Sequence, residues 1–134
     1  MRPHDDQKPI LVLVLEDSPI ILMDLRHTLE DAGFEPMCAR NCAKAHQVIE
    51  ATPPDVAILD VNLENETCEA VARQLRSLQI PFMLHTGDLE RQDELVTRLD
   101  APILAKPAFS ETIIQVVRNL HRTSVTEESS SAMP

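Results

Sequence analysis

ILVLVLEDSPIILMDL, residues 10–25, decides how the chain is read. Ile10 to Leu15 are all apolar, the signature of a strand buried on both faces. Glu16 and Asp17 follow at once, then Ser18-Pro19, a capping residue with proline at the first helical position. Ile21, Leu25 and Leu29 recur at helical spacing, and Gly33 stops the helix. Two neighbouring carboxylates at the end of a buried strand repel each other, and burial raises the cost. Either the pair lies at the surface, or something positive sits between the two acids, and the rest of the sequence decides.

The same alternation runs through the sequence. Strand-like runs are expected at Ile10–Glu16, Glu35–Ala39, Val56–Asp60, Pro81–His85 and Pro102–Ala105. Amphipathic segments lie between them. Asn41 caps a second helix with Ala45, Val48 and Ile49 inward. A third carries Val71, Leu75 and Leu78, and a fourth, around Leu89–Leu99, carries Leu95 and Leu99. A fifth opens at Ser110 and buries Ile113, Val117 and Leu120. Five βα units with right-handed crossovers give an open five-stranded parallel sheet with five helices on both faces, a three-layer α/β sandwich. Residues 1–8 read as an N-terminal extension, 9–122 as the domain, and the Ser/Thr/Glu-rich 123–134 as a disordered tail with no output module after it.

Composition narrows the function. The 134 residues suffice for one domain with a proper core. No apolar run reaches the ~20 residues needed to span a bilayer, and "MRPHDDQKP" lacks a signal peptide's apolar stretch, so a cytoplasmic, non-membrane protein is expected. A net charge of -10 disfavours phosphate backbones, so no nucleic-acid partner is expected. Cys38, Cys42 and Cys68 show no metal or disulfide spacing and read as reduced, partly buried thiols. Only two glycines are present, which excludes both the GxGxxG loop and the P-loop.

In open α/β sheets, ligands bind at the carboxyl ends of the strands. Those ends carry Glu16 and Asp17 after the first strand, Asp60 at the close of the third, Thr86 and Gly87 after the fourth, and Lys106-Pro107 after the fifth. Asp60 is a carboxylate nucleophile of the kind that forms aspartyl-phosphate. Bringing a phosphoryl group to a carboxylate calls for a divalent cation, and Mg2+ favours oxygen ligands such as those of Glu16, Asp17 and Asp60. Lys106 is a point charge that can pair with Asp60 and then with a phosphoryl oxygen. Thr86 can donate to another phosphoryl oxygen, and Gly87 leaves room for the donor. His85 reads as a side chain at the sheet edge, and His27 and His46 as solvated.

This ordered set resembles the CheY-like receiver domains of two-component response regulators, over roughly residues 9–122. The resemblance implies strand order 2-1-3-4-5, phosphorylation on Asp60, and a metal also held by the main-chain carbonyl of Asn62. It implies a cis bond between Lys106 and Pro107, and a position at Asp88 from which a side chain affects water attack on the phosphoryl group. Ile103 stands where the family often has an aromatic switch residue. The function implied is that of a single-domain, non-enzymatic regulator. It would accept a phosphoryl group from a histidine kinase or histidine phosphotransfer protein and act on a downstream protein, or as a shuttle or sink. Two other readings stay open. One is a phosphorylation-independent interaction module. The other is a haloacid-dehalogenase-type phosphohydrolase, although Asn62 stands where that family has its second Asp.

Overall fold

The computed structural model describes residues 8–87 and 93–132. Its strands are β1 (Leu11–Leu15), β2 (Glu35–Ala39), β3 (Val56–Asp60), β4 (Asn62–Leu63), β5 (Glu66–Thr67), β6 (Phe82–Thr86) and β7 (Ile103–Ala105). Its helices are α1 (Pro19–Asp31), α2 (Cys42–Ala51), α3 (Glu69–Ser77), α4 (Asp93–Leu99) and α5 (Ser110–Ala132). Five strands form one parallel sheet in the order β2-β1-β3-β6-β7. That is the expected 2-1-3-4-5 order once the β4–β5 hairpin is counted separately.

Strand alternation divides the core in two. Val12, Val14, Ile58 and Met83 point to one face, where Leu25 and Leu29 of α1 and Ile113, Ile114 and Val117 of α5 cover them. Leu13, Leu15, Ala57, Leu59 and Leu84 point to the other, against Ile49 of α2, Val71 and Leu75 of α3, and Leu95 and Leu99 of α4. β1, β3 and β6 lie inside the sheet and are apolar except for Asp60, His85 and Thr86 at their carboxyl ends, because helices dry both faces. The outer strands are β2, which contains Pro36, and β7, which has three residues.

Local signals set the boundaries. The Ser18 hydroxyl accepts from the Ile21 amide and Pro19 opens α1. Gly33 closes it at φ 91°, and the Phe34 amide donates back to the Leu29 carbonyl at 2.9 Å. The Asn41 side chain caps α2 through the Lys44 amide. At the end of α3, Gln79 takes the left-handed conformation, φ 61°, while the Ile80 amide reaches the Leu75 carbonyl.

Several expectations are corrected. Leu78 is exposed, because α3 ends before it and the chain turns outward. His46 is half-buried and bonds through Nδ1 to Gln74, joining α2 to α3. α5 continues beyond residue 122 to Ala132, through a stretch without Gly or Pro to break it. The expected start of the fourth helix near Leu89 lies outside the described residues.

Candidate functional site

The site is built at the carboxyl edge of β1, β3, β6 and β7. Each strand delivers its last side chains to that edge because all of them run in the same direction. Glu16 and Asp60 are buried, at 1% and 4% exposure, and Asp17 is half-buried. One carboxylate oxygen from each of Glu16, Asp17 and Asp60 lies within 4.8 Å of the other two. The Lys106 ammonium stands 2.7 Å from Glu16 Oε1 and 3.2 Å from Asp60 Oδ2. Lys106 thus places a positive charge between Glu16 and Asp60, closer to Glu16 than to Asp60.

Glu16 is fixed at both ends. Oε1 faces Lys106 and Oε2 accepts from the Ser18 amide at 3.1 Å. The Asp17 carbonyl accepts from Arg40 at 3.2 Å, which orders the acidic turn from the β2 side. Burial first, then the charge of Glu16, pushes the Asp60 carboxyl up to about 7, while Lys106 pulls it down. Such a carboxyl is poised to exchange its proton for a cation. The donor set is all oxygen and acidic, which fits Mg2+. Asp17 and Asp60 are the carboxylates with oxygens to spare.

The remaining residues fall as follows. Asn62 lies two residues past Asp60 and opens the β4–β5 hairpin, whose backbone the Cys68 amide closes onto the Val61 carbonyl. Thr86 ends β6 and is buried, and its carbonyl accepts from the Lys106 amide at 2.9 Å. Gly87 follows, and a Cβ there would meet the Lys106 stem at 4.0 Å, an ordinary contact. The Lys106–Pro107 bond is cis. Ile103 is exposed on the outer strand, at 38%. Asp88 lies outside the described residues.

Sequence reasoning missed two features. The hairpin after Asp60 carries no Gly or Pro to signal a turn. Glu66 holds it in place by accepting from the Cys42 amide at 2.9 Å, tying the loop to the start of α2. His85 does not lie at the sheet edge: β6 is flanked by β3 and β7, and the ring is buried. The three cysteines are free, and burial raises the thiols of Cys42 and Cys68 to about 11 and 12, so neither forms a thiolate near neutrality.

A three-layer α/β domain with three carboxylates and a lysine at the carboxyl edge of its sheet defines the class: a phosphoacceptor signalling module. The chain belongs to the response regulator receiver domain family, which it matches over residues 12–118. It is 29% identical over 137 residues to the probable transcriptional regulatory protein TcrX of Mycobacterium tuberculosis, covering 98% of this chain and 58% of that protein. To the transcriptional regulatory protein PhoP of Escherichia coli it is 27% identical over 115 residues, 83% of this chain and 52% of that protein. The chain thus spans about half the length of these curated relatives. Among solved structures, Vibrio cholerae chemotaxis protein CheY4 superposes with a TM-score of 0.75 at 27% identity, covering 84% of this chain and 99% of that one. A CheY-like receiver protein of Methanospirillum hungatei gives a TM-score of 0.81 at 18% identity over 90% of this chain and 99% of that one, a likeness of fold. Receiver domains belong to two-component systems, and phosphorylation with Mg2+ is standard in the family.

Proposed function

We propose that this chain accepts a phosphoryl group on Asp60 from a phosphohistidine of a histidine kinase or phosphotransfer protein. The observation that carries the reading is the Lys106 ammonium set between Glu16 and Asp60, with Asp17 completing the acidic cluster. An Asp60 carboxylate oxygen attacks phosphorus, the phosphorus–nitrogen bond breaks, and the leaving imidazole takes up a proton. A bound Mg2+ supplies charge neutralisation for that approach. Asp17, Asp60 and the Asn62 carbonyl would hold it, with Glu16 behind them. Lys106 moves from Asp60 to a phosphoryl oxygen, and the Thr86 hydroxyl donates to another. Gly87 leaves the approach open. Ile103 lacks an aromatic ring, so the change passes through the loop after Thr86 rather than through a flipping ring, and the output is a protein partner or onward transfer of phosphate. The family's signalling role and the absence of a long apolar helix among the described residues support a non-enzymatic, non-membrane reading.

Incubation with Mg2+ and a small acyl phosphate should add one phosphoryl group by intact mass. Asp60→Asn should take none. Equal labelling of both proteins removes the assignment.

A further inference from the structure

Among the described residues, His85 is a buried polar side chain that the chemistry above leaves unused. His85 is only 4% exposed, and neither ring nitrogen has a hydrogen-bond partner. Such a group is costly to retain, and an apolar residue of similar size costs nothing comparable. Its place in the sheet is specific. Asp60 and His85 are register partners on adjacent strands. Along β1, Val12 and Val14 point to the face covered by α1 and α5, and Glu16 continues that alternation. Ile58 leads in the same way to Asp60, Met83 to His85, and Leu104 to Lys106. Glu16, Asp60 and His85 therefore form a lateral row on one face of the sheet, and Leu104, the register partner of His85, carries the row to β7, which leads directly into Lys106.

The hydrogen-bond inventory of this row is incomplete. An ammonium group has three donors. Glu16 Oε1 and Asp60 Oδ2 pair with that of Lys106 at 2.7 and 3.2 Å. A neutral imidazole has one N–H and one lone pair, and neither nitrogen of His85 is engaged. We infer that His85 is a positioning residue for Lys106 in the phosphorylated state. Once Asp60 becomes an acyl phosphate it is a weaker acceptor, and Lys106 turns one N–H to a phosphoryl oxygen while Glu16 keeps another. The His85 lone pair takes the third. The ring thus replaces the contact that Asp60 gives up and fixes the ammonium over the phosphoryl group. This inference rests on phosphorylation at Asp60 as proposed above.

Two measurements test it. The first is a ring-nitrogen NMR spectrum of the wild type with Mg2+, before and after addition of beryllium fluoride as phosphoryl mimic, with His85 assigned through His85→Gln. The lone-pair nitrogen of His85 should shift as an acceptor engaged by a donor does. An unmoved signal in a protein whose Asp60 neighbourhood responds to the mimic overturns the inference. The second compares phosphorylation by a small acyl phosphate at saturating Mg2+. Relative to wild type, His85→Leu should lose roughly tenfold in maximal rate and His85→Gln no more than about threefold, the scale of one hydrogen bond to a charged group. The donor concentration at half-maximal rate should not change. His85→Leu should also melt no lower than wild type, because it removes an unpartnered polar group, whereas a purely structural role predicts a lower melt and an unchanged rate. Equal rates for wild type and His85→Leu overturn this inference alone. A wild type that takes no phosphoryl group overturns it together with the reading on which it rests. The ring-nitrogen measurement needs no folded Leu variant.

Discussion

At Asp60 two demands conflict. The role proposed for it requires an ionised carboxylate, yet burial and Glu16 hold its proton to about 7. The stability of the metal-free protein follows from this. Between the unfolded value of 3.8 and about 7, the folded chain holds a proton that the unfolded chain has lost. Stability from this group is therefore full below the unfolded value and falls as pH rises through that window. Asp60→Asn removes the dependence, so in chelator the variant should be the more stable protein above neutrality, by on the order of 2–4 kcal/mol. The gap should close near pH 4, and Mg2+ should narrow or reverse it at neutral pH by stabilising the wild type. Circular dichroism suits the melts, since the chain has neither Trp nor Tyr. A difference between the two proteins that stays constant from pH 4 to 8 disproves this account. The carboxylates and the lysine were legible in the sequence because each ends an apolar strand, where side chains of an open sheet converge. His85 was not legible. A histidine near a strand's end reads as a side chain at the sheet edge, and only the pairing of β6 on both sides shows that it is covered.

The helices and strands announce themselves where capping chemistry and apolar spacing agree, as at Ser18-Pro19 and Asn41. They stay hidden where tertiary contacts do the work. The β4–β5 hairpin has no Gly or Pro in its turn and is tied down by Glu66 reaching the α2 amide, a contact 24 positions apart in sequence. Leu78 fits the helical period of α3 but falls after its end. The reason lies at Gln79, which holds a left-handed conformation that side chains tolerate poorly. Gln79→Gly should relieve about 1 kcal/mol of that strain and raise the melting temperature by a few degrees. Phosphorylation at Asp60 should be unaffected, because α3 leaves the site at its opposite end. A lower melting temperature in the glycine variant would show that the Gln79 side chain contributes more than its backbone costs.

For the molecule as a whole, net charge and exposed apolar groups decide what it can meet. The surface is acidic overall, at -10. Ile20 and Met23, one helical turn apart on α1, are nevertheless exposed at 81% and 59%, and Ile20 follows directly on the acidic turn and its cap. A phosphohistidine arrives on a protein, so an apolar contact next to the site favours that donor over a small molecule. Ile20→Asp should slow phosphotransfer from a cognate phosphohistidine protein by roughly tenfold or more, the scale of a lost apolar anchor. Labelling by a small acyl phosphate should not change. Slowing of both donors alike would place the effect in the pocket rather than in docking. The two-faced sheet and the division of its core were readable from short apolar runs alternating with amphipathic segments, whereas which helix exposes which apolar side chain depends on packing that no periodicity encodes.

The outer strands of this sheet carry a further consequence. An unprotected strand at the margin of a sheet is a template on which a second chain can add, and it is the usual starting point of ordered aggregation. On one margin β2 places Pro36, which has no amide hydrogen to offer. On the other, β7 is only three residues long, too brief to seed an extended ladder. A sheet whose interior strands are apolar up to their carboxyl ends thus stops on both sides in positions that discourage growth by addition of a further strand.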